Sequence, residues 1–462
     1  MGQWWQDHVV IPIVTPEEMN EIDRAASEPV DVLIGRAGAA VARCALDLLG
    51  GSYGRRVVIV EGKGNNGNDG RDAAERLRRS GVRVIEVDAT EAPSPLPTCD
   101  LVIDAAFGTG FRGEYEAPDA GEAAVLAVDI PSGVDGLTGV ASGRPLTADL
   151  TVTFAALKPG LLFADGASAS GQVEVADIGL DTSTARARLV EPADVASWLP
   201  PRSRDTNKWK AAVWAVAGSP GMTGAGHLCA HSAYRAGAGY VRLSSPGLDH
   251  DPGAPTEAVG VPLPEEDWAG NVLEELDRFD ALVMGPGLGR SVKTGESIAR
   301  VLKRSGIPVV LDGDALFLLG TDAAAVLAGR GGPTVLTPHD GEYARLTGSP
   351  PGADRLGAVR DLASRTGSIV LLKGATTVVA DPDGLVLVCT AGSNRLATAG
   401  TGDVLSGVIA AFLARGVDAH QAAAAAAVVH GVAAWRGRRV GLVASDLPEL
   451  VSDVLGSLGR PG

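Results

Sequence analysis

Short runs of β-branched apolar residues recur along the chain and alternate with helical segments. In the first half these runs lie at residues 57–60, 82–87, 101–104, 125–129 and 150–154. Runs that are apolar throughout and separated by helices are typical of strands buried on both faces of a parallel sheet. The pattern therefore predicts an α/β fold, in which ligands bind at the carboxyl edge of the sheet.

A second series of strand-like runs begins after residue 210. Its members lie at residues 212–217, 240–244, 281–284, 308–311, 334–336, 369–372, 378–380 and 385–388. Prolines and a polar run at residues 202–210 separate the two series, and a length of 462 residues favours two or three domains. We predict a first domain over residues 1–190, a linker over 191–210 and a second, different α/β domain over 211–462.

The overall charge excludes several classes of partner. The formal net charge is −16, so the chain lacks the basic surface that nucleic acid or an anionic membrane would require. It also shows no apolar stretch of about 18 residues, no signal-peptide pattern over residues 1–14, and no CxxC spacing among its 4 cysteines. We expect a cytoplasmic enzyme that holds anionic small molecules through backbone N–H groups and helix N-termini.

The strand at residues 57–60 ends in GKGNNGNDG, residues 62–70. The glycines allow the backbone to approach a ligand closely, and the Asn and Asp side chains add donors and acceptors. A helix expected over residues 71–80 presents its positive N-terminal end at the same place. An ordinary loop with an Asx cap is the alternative, although capping needs far fewer such residues.

Two further strands also end in polar residues. Asp104 closes one strand and is followed by GTGFRG at residues 108–113, and the next strand ends in VDIPSG at residues 128–133. GTGFRG matches the dinucleotide fingerprint, but no helix of about ten residues fits before the next strand. We interpret it as a glycine-rich loop that touches ligand. Oxygen donors at these strand ends suit a hard cation rather than zinc, although each strand-terminal Asp is as often only a cap.

GKGNNGNDG, DAAFGTGFRG, VDIPSG and the later TFAALKPG together resemble the NAD(P)H-hydrate epimerase family over residues 15–180. That family is Rossmann-like, binds a potassium ion and interconverts the two epimers of NAD(P)H hydrated on its nicotinamide ring. The resemblance implies K⁺ bound through Asn66, Asp104 and Ser132, and proton transfer by Asp129 and Lys158. It implies substrate contacts from Asn65, Asn66, Gly67, Asn68, Asp69, Gly108, Thr109, Gly110, Phe111, Arg112, Gly113, Glu114 and Asp129.

Two residues of these motifs leave alternatives open. Asn68 stands where the family usually has glycine; asparagine tolerates a positive φ, but substrate affinity and epimerase activity are in question. Lys158 could be a surface lysine before a Pro-Gly turn. The chain has only 7 lysines against 33 arginines, and 3 of the 7 stand inside motifs, which favours a role for the Lys158 ammonium.

Glycine-rich or polar segments also follow the strands of the second half. AGTGDVLSG, residues 399–407, begins an apolar helix whose first N–H groups would form an anion hole for phosphate. Asp403 could there take a proton from a hydroxyl that attacks a terminal phosphate, and a plain N-cap is the alternative. His227 and His231 have the spacing of zinc ligands but lack the Glu of HExxH, so we expect core or cap histidines.

GSPGMTGAG, GPGLG, TPHDGE, KGATT and AGTGDVLSG together resemble the ADP- or ATP-dependent NAD(P)H-hydrate dehydratase family, of ribokinase-like α/β fold, over residues 195–455. The resemblance implies hydrate contacts from Ala225, Gly289, His339 and Asp403. It implies nucleotide contacts from Lys373, Gly374, Ala375, Thr376, Thr377 and Gly402. Asp340 stands where the family more often has Pro and places a negative charge near anionic ligands.

The combination predicts a Rossmann-like three-layer domain followed by a ribokinase-like domain, as in bifunctional NAD(P)H-hydrate repair enzymes. The expected partners are hydrated NADH or NADPH and ADP, with K⁺ in the first domain, Mg²⁺ in the second, and a homo-oligomeric assembly. One alternative is a small-molecule kinase with a non-catalytic N-terminal binding module. A nicotinamide oxidoreductase built on GTGFRG is a third, which the sequence context disfavours.

Overall fold

The computed structural model describes residues 11–458 and divides the chain into two compact units. One unit is Ile11–Ala187, and the other begins at Arg188. The predicted first domain, 1–190, ends three residues beyond this boundary. The second unit begins 23 residues before the predicted 211, because it includes the predicted linker 191–210, part of which is a helix at Pro192–Trp198. Each unit has its own sheet and its own hydrophobic cores.

The first unit is an α/β fold. Its helices are α1 (Pro16–Ala25), α2 (Val30–Leu49), α3 (Asn65–Arg79) and α4 (Ala164–Ala169). Its strands are β1 (Pro12–Ile13), β2 (Arg56–Glu61), β3 (Arg83–Asp88), β4 (Leu101–Ala105), β5 (Tyr115–Glu116), β6 (Ala124–Val128), β7 (Gly143–Arg144), β8 (Leu150–Phe154) and β9 (Gln172–Ala176). The main sheet has the order β3-β2-β4-β6-β8-β9, and every pairing in it is parallel.

The sheet of the first unit is buried on both faces, as its unbroken apolar strands predict. Val57 and Ile59 of β2 belong to a core beneath α2 and α3, whereas Val58 and Val60 belong to a second core on the other face. Successive side chains of a strand point to opposite faces, so each face needs its own cover. The second face is covered largely by loops and short strands.

The motif at residues 62–70 differs from its predicted form. Helix α3 begins at Asn65, so residues 65–70 form its first turns instead of a loop, and the predicted helix start at residue 71 is wrong. Gly67 makes this possible, because a Cβ at that position would overlap the carbonyl oxygen of Gly62. The N-cap is Gly64, which has no side chain to cap the helix. The first-turn N–H groups therefore stay available to a ligand.

The second unit is built on a larger sheet. Its helices are α5 (Pro192–Trp198), α6 (Thr223–Arg235), α7 (Ala269–Glu275), α8 (Val292–Arg304), α9 (Asp314–Leu319), α10 (Ala323–Leu327), α11 (Asp340–Thr347), α12 (Arg355–Thr366), α13 (Thr401–Ala414), α14 (Ala419–Arg436) and α15 (Leu447–Ser457). After β10 (Ala187–Leu189) at the junction, its strands are β11 (Ala212–Val216), β12 (Tyr240–Ser244), β13 (Val259–Gly260), β14 (Ala281–Met284), β15 (Val309–Leu311), β16 (Thr334–Leu336), β17 (Ile369–Leu372), β18 (Thr377–Ala380) and β19 (Val386–Cys389).

From β19 the strand order in this sheet is β19-β18-β17-β16-β15-β14-β11-β12-β13. In that order, neighbouring strands from β17 onward are parallel. Strand β18 is antiparallel to both of its neighbours, β17 and β19. The parallel strands bring the polar segments that follow them to one edge, as predicted. No helix within residues 11–458 is both long and apolar enough to cross a membrane.

Helix α13, which carries the predicted anion-binding turn, packs closely on α6. A Cβ at Gly407 would overlap the carbonyl oxygen of Cys229 and the hydroxyl of Ser232, both in α6. The contact requires glycine because two helix backbones approach each other there. The position of the turn at the start of α13 therefore depends on this packing.

We predict that Gly407→Ala lowers the free energy of unfolding of the second unit by about 1–3 kcal/mol, because an added methyl group forces the two helices apart. Gly295→Ala in α8 is the matched control: its Cβ would lie 3.6 Å from the nearest atom of Leu318. This control should be neutral or stabilising by up to about 1 kcal/mol, because alanine favours a helix over glycine. Differential scanning calorimetry of both variants checks the difference, and equal thermal midpoints would contradict it.

Candidate active sites

The first unit has a cavity of about 530 Å³ at the carboxyl edge of its sheet. Among the residues predicted as substrate contacts, those that line it are Asn65, Asn66, Asp69, Gly108, Thr109, Gly110, Phe111 and Asp129. Gly67, Asn68, Arg112, Gly113 and Glu114 do not belong to the lining. Helices α1 and α2 form an apolar wall that the sequence analysis missed, including Met19, Leu33 and Ile34.

Lys158 is a buried residue of this site, so the alternative of a surface lysine is wrong. It is only 1% exposed, and its Nζ lies 2.6 Å from Oδ1 of Asp129. Nζ also donates to Oγ1 of Thr153 and to the carbonyl oxygen of Phe154, each at 2.9 Å. Thr153 in turn donates to Asp129 over 3.0 Å. Asp129 itself has φ +66°, a strained conformation for a residue with a side chain.

Two more carboxylates share the cavity with this pair. Burial, with the nearby charge of Asp129, raises the pKa of Asp69 to about 8, although the Lys158 charge opposes the shift. Partial burial also raises the pKa of Asp23 in α1. Asp69 is therefore protonated at neutral pH and can donate as well as accept. The sequence did not indicate Asp23, because α1 approaches the sheet edge only in the folded chain.

Two of the three predicted potassium ligands, Asp104 and Asn66, are buried polar groups that the surrounding residues satisfy incompletely. Asp104 is fully buried and accepts from neutral donors only: the N–H and hydroxyl of Ser132, at 2.9 and 2.6 Å, and the N–H of Ala106. The buried Asn66 side chain has no hydrogen-bond partner within residues 11–458. A buried carboxylate that accepts only from neutral donors, and a buried amide oxygen without a partner, have the chemistry of oxygen ligands for a monovalent ion.

Asn68 does not need the positive φ that the sequence analysis considered. It lies inside α3 with helical backbone, and its Oδ1 accepts from Arg71 at 2.7 Å. The glycine that the loop requires is the preceding residue, Gly67. Asparagine at position 68 is therefore compatible with the local backbone of an intact site.

In the second unit, helix α13 begins at Thr401, directly after the left-handed Gly400 (φ +91°). The N-cap glycine offers no side chain, so the N–H groups of the first turn are available to an anion. Thr401 secures the turn by donating its hydroxyl to the carbonyl oxygens of Leu396 and Thr398, at 2.9 and 3.1 Å. This geometry fits the predicted anion hole.

Asp403 lies in the first turn of α13. Burial, together with the charge of Asp312, raises its pKa to about 7, against an opposing effect of Lys373. A carboxylate with a pKa near neutrality is suited to act as a general base. The sequence located this residue but could not indicate its altered pKa, which depends on residues distant in the chain.

Lys373 is held between two carboxylates. Its Nζ lies 2.9 Å from Oδ1 of Asp312 and 3.4 Å from Oε2 of Glu342. Although burial opposes ionisation, Lys373 holds the pKa of Asp312 below its ordinary value, with help from hydroxyl donors on Thr337 and Ser406. The sequence analysis did not assign Asp312 and Glu342 a role, although both stand in polar segments that follow strands.

The other predicted residues gather around this cluster. A Cβ on Gly402 would lie 3.4 Å from Lys373 Nζ, so the segment 373–377 and the turn at 400–402 are neighbours. On the other side, a Cβ on Gly287 would lie 2.9 Å from Ala225, and Gly289 donates its N–H to Asp314 at 2.9 Å. The structure thus brings the predicted hydrate-binding and nucleotide-binding segments to one edge of the sheet.

The charged and histidine residues near this edge have specific partners. Asp340, whose negative charge was expected to lie near anionic ligands, is paired with Arg355 at 3.0 Å. His339 caps α11 by accepting the N–H of Gly341, and its side chain is 59% exposed. His227 is bound to Asp251 at 2.6 Å, in line with a structural role.

Comparisons with known proteins cover both units. A family model described as NAD(P)H-hydrate dehydratase matches residues 213–455, and one described as YjeF-related protein N-terminus matches residues 30–94 and 85–160. The chain is 38% identical over 515 residues to the bifunctional NAD(P)H-hydrate repair enzyme Nnr of Moorella thermoacetica, covering 96% of this chain and 97% of the relative.

Two solved structures resemble the second unit. The ADP/ATP-dependent NAD(P)H-hydrate dehydratase of Bacillus subtilis, co-crystallized with ATP/Mg²⁺, is 28% identical with a TM-score of 0.51, covering 58% of this chain and 98% of that one. A ribokinase-like superfamily protein of Enterococcus faecalis is 22% identical with a TM-score of 0.53, covering 60% and 97%, and supports the fold alone.

The fold and the sites define a two-domain α/β enzyme with a ribokinase-like second domain, which confirms the predicted fold class. The first domain carries a lysine–aspartate pair in a cavity, and the second a helix start without a capping side chain beside a half-buried acid. Because these matches cover nearly the whole chain, it belongs to the family of bifunctional NAD(P)H-hydrate repair enzymes.

We predict that Thr153→Val lowers kcat/KM for epimerisation on the order of tenfold, because the Thr153 hydroxyl bridges Lys158 and Asp129. Thr151→Val is the matched control: Thr151 is equally buried in β8, but donates to the carbonyl oxygen of Ser170 at 2.7 Å, outside the cavity. Both variants lose a buried hydrogen bond, and only the first should lose activity. Equal losses in the two variants would exclude a positioning role for Thr153.

Proposed function

We propose that this chain repairs hydrated NADH and NADPH in two steps. The first domain interconverts the two epimers of the hydrate, and the second removes water from the S epimer at the expense of ADP, forming AMP and phosphate. The carrying observation is the pair of acid clusters, each built around one lysine, at the carboxyl edges of two separate sheets. The kinase alternative is not favoured, because the match to the repair enzyme of Moorella thermoacetica covers 96% of this chain and 97% of that enzyme.

In the first domain the hydrated ring would bind in the cavity, with the apolar side chains of α1 and α2 against its planar parts. Asp129 and Lys158 would move protons at the hydroxyl-bearing carbon. The Lys158 ammonium contacts Asp129 directly, at 2.6 Å, and holds it in place. The N–H groups at the start of α3 and the loop at residues 108–114 would hold the phosphates and ribose of the substrate.

Potassium would be held by Asn66, Asp104 and Ser132 beside this cavity. When bound, the ion would supply positive charge that offsets the buried Asp104 carboxylate and orders the start of α3. Asn65 and Asn66 open that helix, so an ordered Asn66 keeps the first-turn N–H groups in place.

In the second domain Asp403 would deprotonate the hydroxyl of the hydrate. The oxygen then attacks the terminal phosphorus of ADP, AMP leaves, and the phosphate ester is eliminated to restore the ring double bond. The N–H groups of residues 400–402 stabilise the charge that develops on the transferred phosphate. Lys373, Gly374, Ala375, Thr376, Thr377 and Gly402 would contact the nucleotide, and Ala225, Gly289 and His339 the hydrate.

Magnesium would offset phosphate charge when bound, and Glu342 is the carboxylate beside Lys373 that could hold it. Five carboxylates at this edge, those of Asp312, Asp314, Asp340, Glu342 and Asp403, outnumber the cations Lys373, Arg290 and Arg355, so the bare site would repel a polyanion. ADP as the preferred nucleotide, a homo-oligomeric state and a cytoplasmic location stay predictions from the sequence.

We predict that kcat/KM for dehydration rises with pH through about 7, because Asp403 must be ionised to act as a base and burial raises its pKa to about 7. Asp403→Asn should abolish dehydration while ADP binding and epimerisation persist.

The free energy of unfolding should change with pH in the opposite direction to the activity. The folded carboxyl of Asp403 keeps its proton above its unfolded pKa of about 4, so its ionisation destabilises the fold as pH rises from about 4 to 7. Near-normal turnover by the Asn variant would remove Asp403 from this role.

We predict that a mixture of both hydrate epimers is converted completely to NADH only when ADP and K⁺ are both present. With ADP but with Li⁺ in place of K⁺, only the S epimer should be consumed rapidly, because the smaller ion fits the oxygen ligands poorly. Separation of the epimers by liquid chromatography follows the two activities independently. Rapid consumption of both epimers in Li⁺ would contradict the potassium site, and no consumption with ADP and K⁺ would contradict the proposed function.

A further inference from the structure

Asp312 is a buried carboxylate of the second domain to which the proposed mechanism gives no role. It follows β15 and is 3% exposed. Its Oδ1 accepts from Lys373 Nζ at 2.9 Å and from the Thr337 hydroxyl at 2.8 Å, and its Oδ2 accepts from the Ser406 hydroxyl at 3.1 Å. A buried ion pair stabilises a fold little compared with apolar residues of similar size, so its presence indicates another purpose.

The partners of Asp312 come from three segments that are distant in the chain. Thr337 and Lys373, like Asp312 itself, directly follow parallel strands, whereas Ser406 lies in α13. The carboxylate therefore joins the nucleotide segment 373–377 to the helix that begins beside it. This link is made by side chains at the carboxyl edge of the sheet, where the predicted binding segments gather.

Ser406 connects Asp312 to the first turn of α13. It is 0% exposed, and its hydroxyl also lies 3.0 Å from the carbonyl oxygen of Gly402, four residues earlier in the same helix. The single hydroxyl proton is thus shared between this carbonyl and the Asp312 carboxylate. A bond from serine to the fourth preceding residue is common in helices. Here the same hydroxyl also ties a charge from another segment to the start of the helix.

The Lys373 ammonium lies against the same turn. A Cβ on Gly402 would lie 3.4 Å from Lys373 Nζ and 3.4 Å from Asp312 Oδ2. The N-cap residue Gly400 offers no side chain, so the first N–H groups of the helix are open to a ligand. An anion bound to these N–H groups would therefore also be within reach of the ammonium, with which it would form charge-assisted hydrogen bonds.

Lys373 also has a second carboxylate within reach. Its Nζ lies 3.4 Å from Oε2 of Glu342, against 2.9 Å from Asp312. A lysine side chain is long and flexible, and its ammonium is a compact charge that can turn toward either partner. We therefore expect the ammonium to move toward Glu342 when the charge of Asp312 is removed.

We infer that Asp312 is a positioning residue for phosphoryl transfer, which holds the Lys373 ammonium beside the first turn of α13 so that the ammonium and the main-chain N–H groups act on the same phosphate group. Ser406 fixes Asp312 to that turn. The inference rests on the proposed function, and it assigns Lys373 to the transferred phosphate rather than to the adenosine end of ADP. Asp312 acts through Lys373 and not by contact with the substrates.

The first test is Asp312→Asn, which keeps the shape of the side chain and removes its charge. We expect kcat for dehydration to fall on the order of 100-fold, as it does when a catalytic group is misplaced by about 1 Å. The Kd for ADP, from isothermal titration calorimetry, should rise less than about threefold, because the lost interaction belongs to the transition state. Burial raises the pKa of Asp403 to about 7, so measurement at about pH 8.5 keeps this base ionised in every variant.

Ser406→Ala and Thr337→Val form a matched pair, which carries the test if Asp312→Asn does not fold. Each loses a buried hydrogen bond to Asp312, and only Ser406 links the carboxylate to α13. Ser406→Ala should lower kcat on the order of tenfold, whereas Thr337→Val should lower it less than about threefold. The thermal midpoints of the two variants should fall to a similar extent.

Three results would overturn the inference. The first is a kcat within about threefold of the wild-type value in folded Asp312→Asn or in Ser406→Ala. The second is a loss of ADP affinity in Asp312→Asn as large as the loss of kcat. The third is an equal loss of activity in Thr337→Val and Ser406→Ala, since either of the last two results would make the cluster purely structural.

Crystal structures of the wild type and of Asp312→Asn distinguish this inference from the proposed function. If the wild type does not dehydrate the S epimer with ADP, the proposed function fails. The structures then still test the inference, because Lys373 Nζ should leave the turn at residues 400–402 and pair with Glu342 in the variant. An ammonium that stays in place would overturn it.

Discussion

Both sites depend on helix N-termini that carry no capping side chain. Gly64 precedes α3 and Gly400 precedes α13, so the first-turn N–H groups of both helices remain open to a ligand. A chain with a net charge of −16 cannot attract nucleotides through a basic surface. Main-chain N–H groups offer a local positive potential without adding side-chain charge, and the glycines at these positions make that potential accessible.

Near each of these termini the chain places one lysine among several carboxylates. Lys158 pairs with Asp129 in the first domain, and Lys373 pairs with Asp312 in the second. In each site the pairing leaves another acid without a cation of its own, and burial raises the pKa of that acid: to about 8 for Asp69 and to about 7 for Asp403. Burial thus raises the pKa of one acid toward or above neutral pH in each of the two sheets' sites.

Much of the architecture could be predicted from the sequence, because apolar runs, glycines and strand-terminal acids are local signals. The predicted strands agree with the structure within one or two residues, and Asp129 and Asp403 lie where the motifs indicated. The start of α3 could not be predicted in this way. Glycine and asparagine favour loops by propensity, whereas here they are helical because Gly67 packs against the backbone of Gly62.

By itself, the sequence determined the α/β class, the order of two different domains and the motifs that carry the chemistry. Only the tertiary structure decided that Lys158 is buried, that Asp23 reaches the first cavity, and that Asp312 and Glu342 hold Lys373. These are contacts between residues distant in the chain, and their burial and mutual charge set which protons move, so no local pattern of residues can specify them.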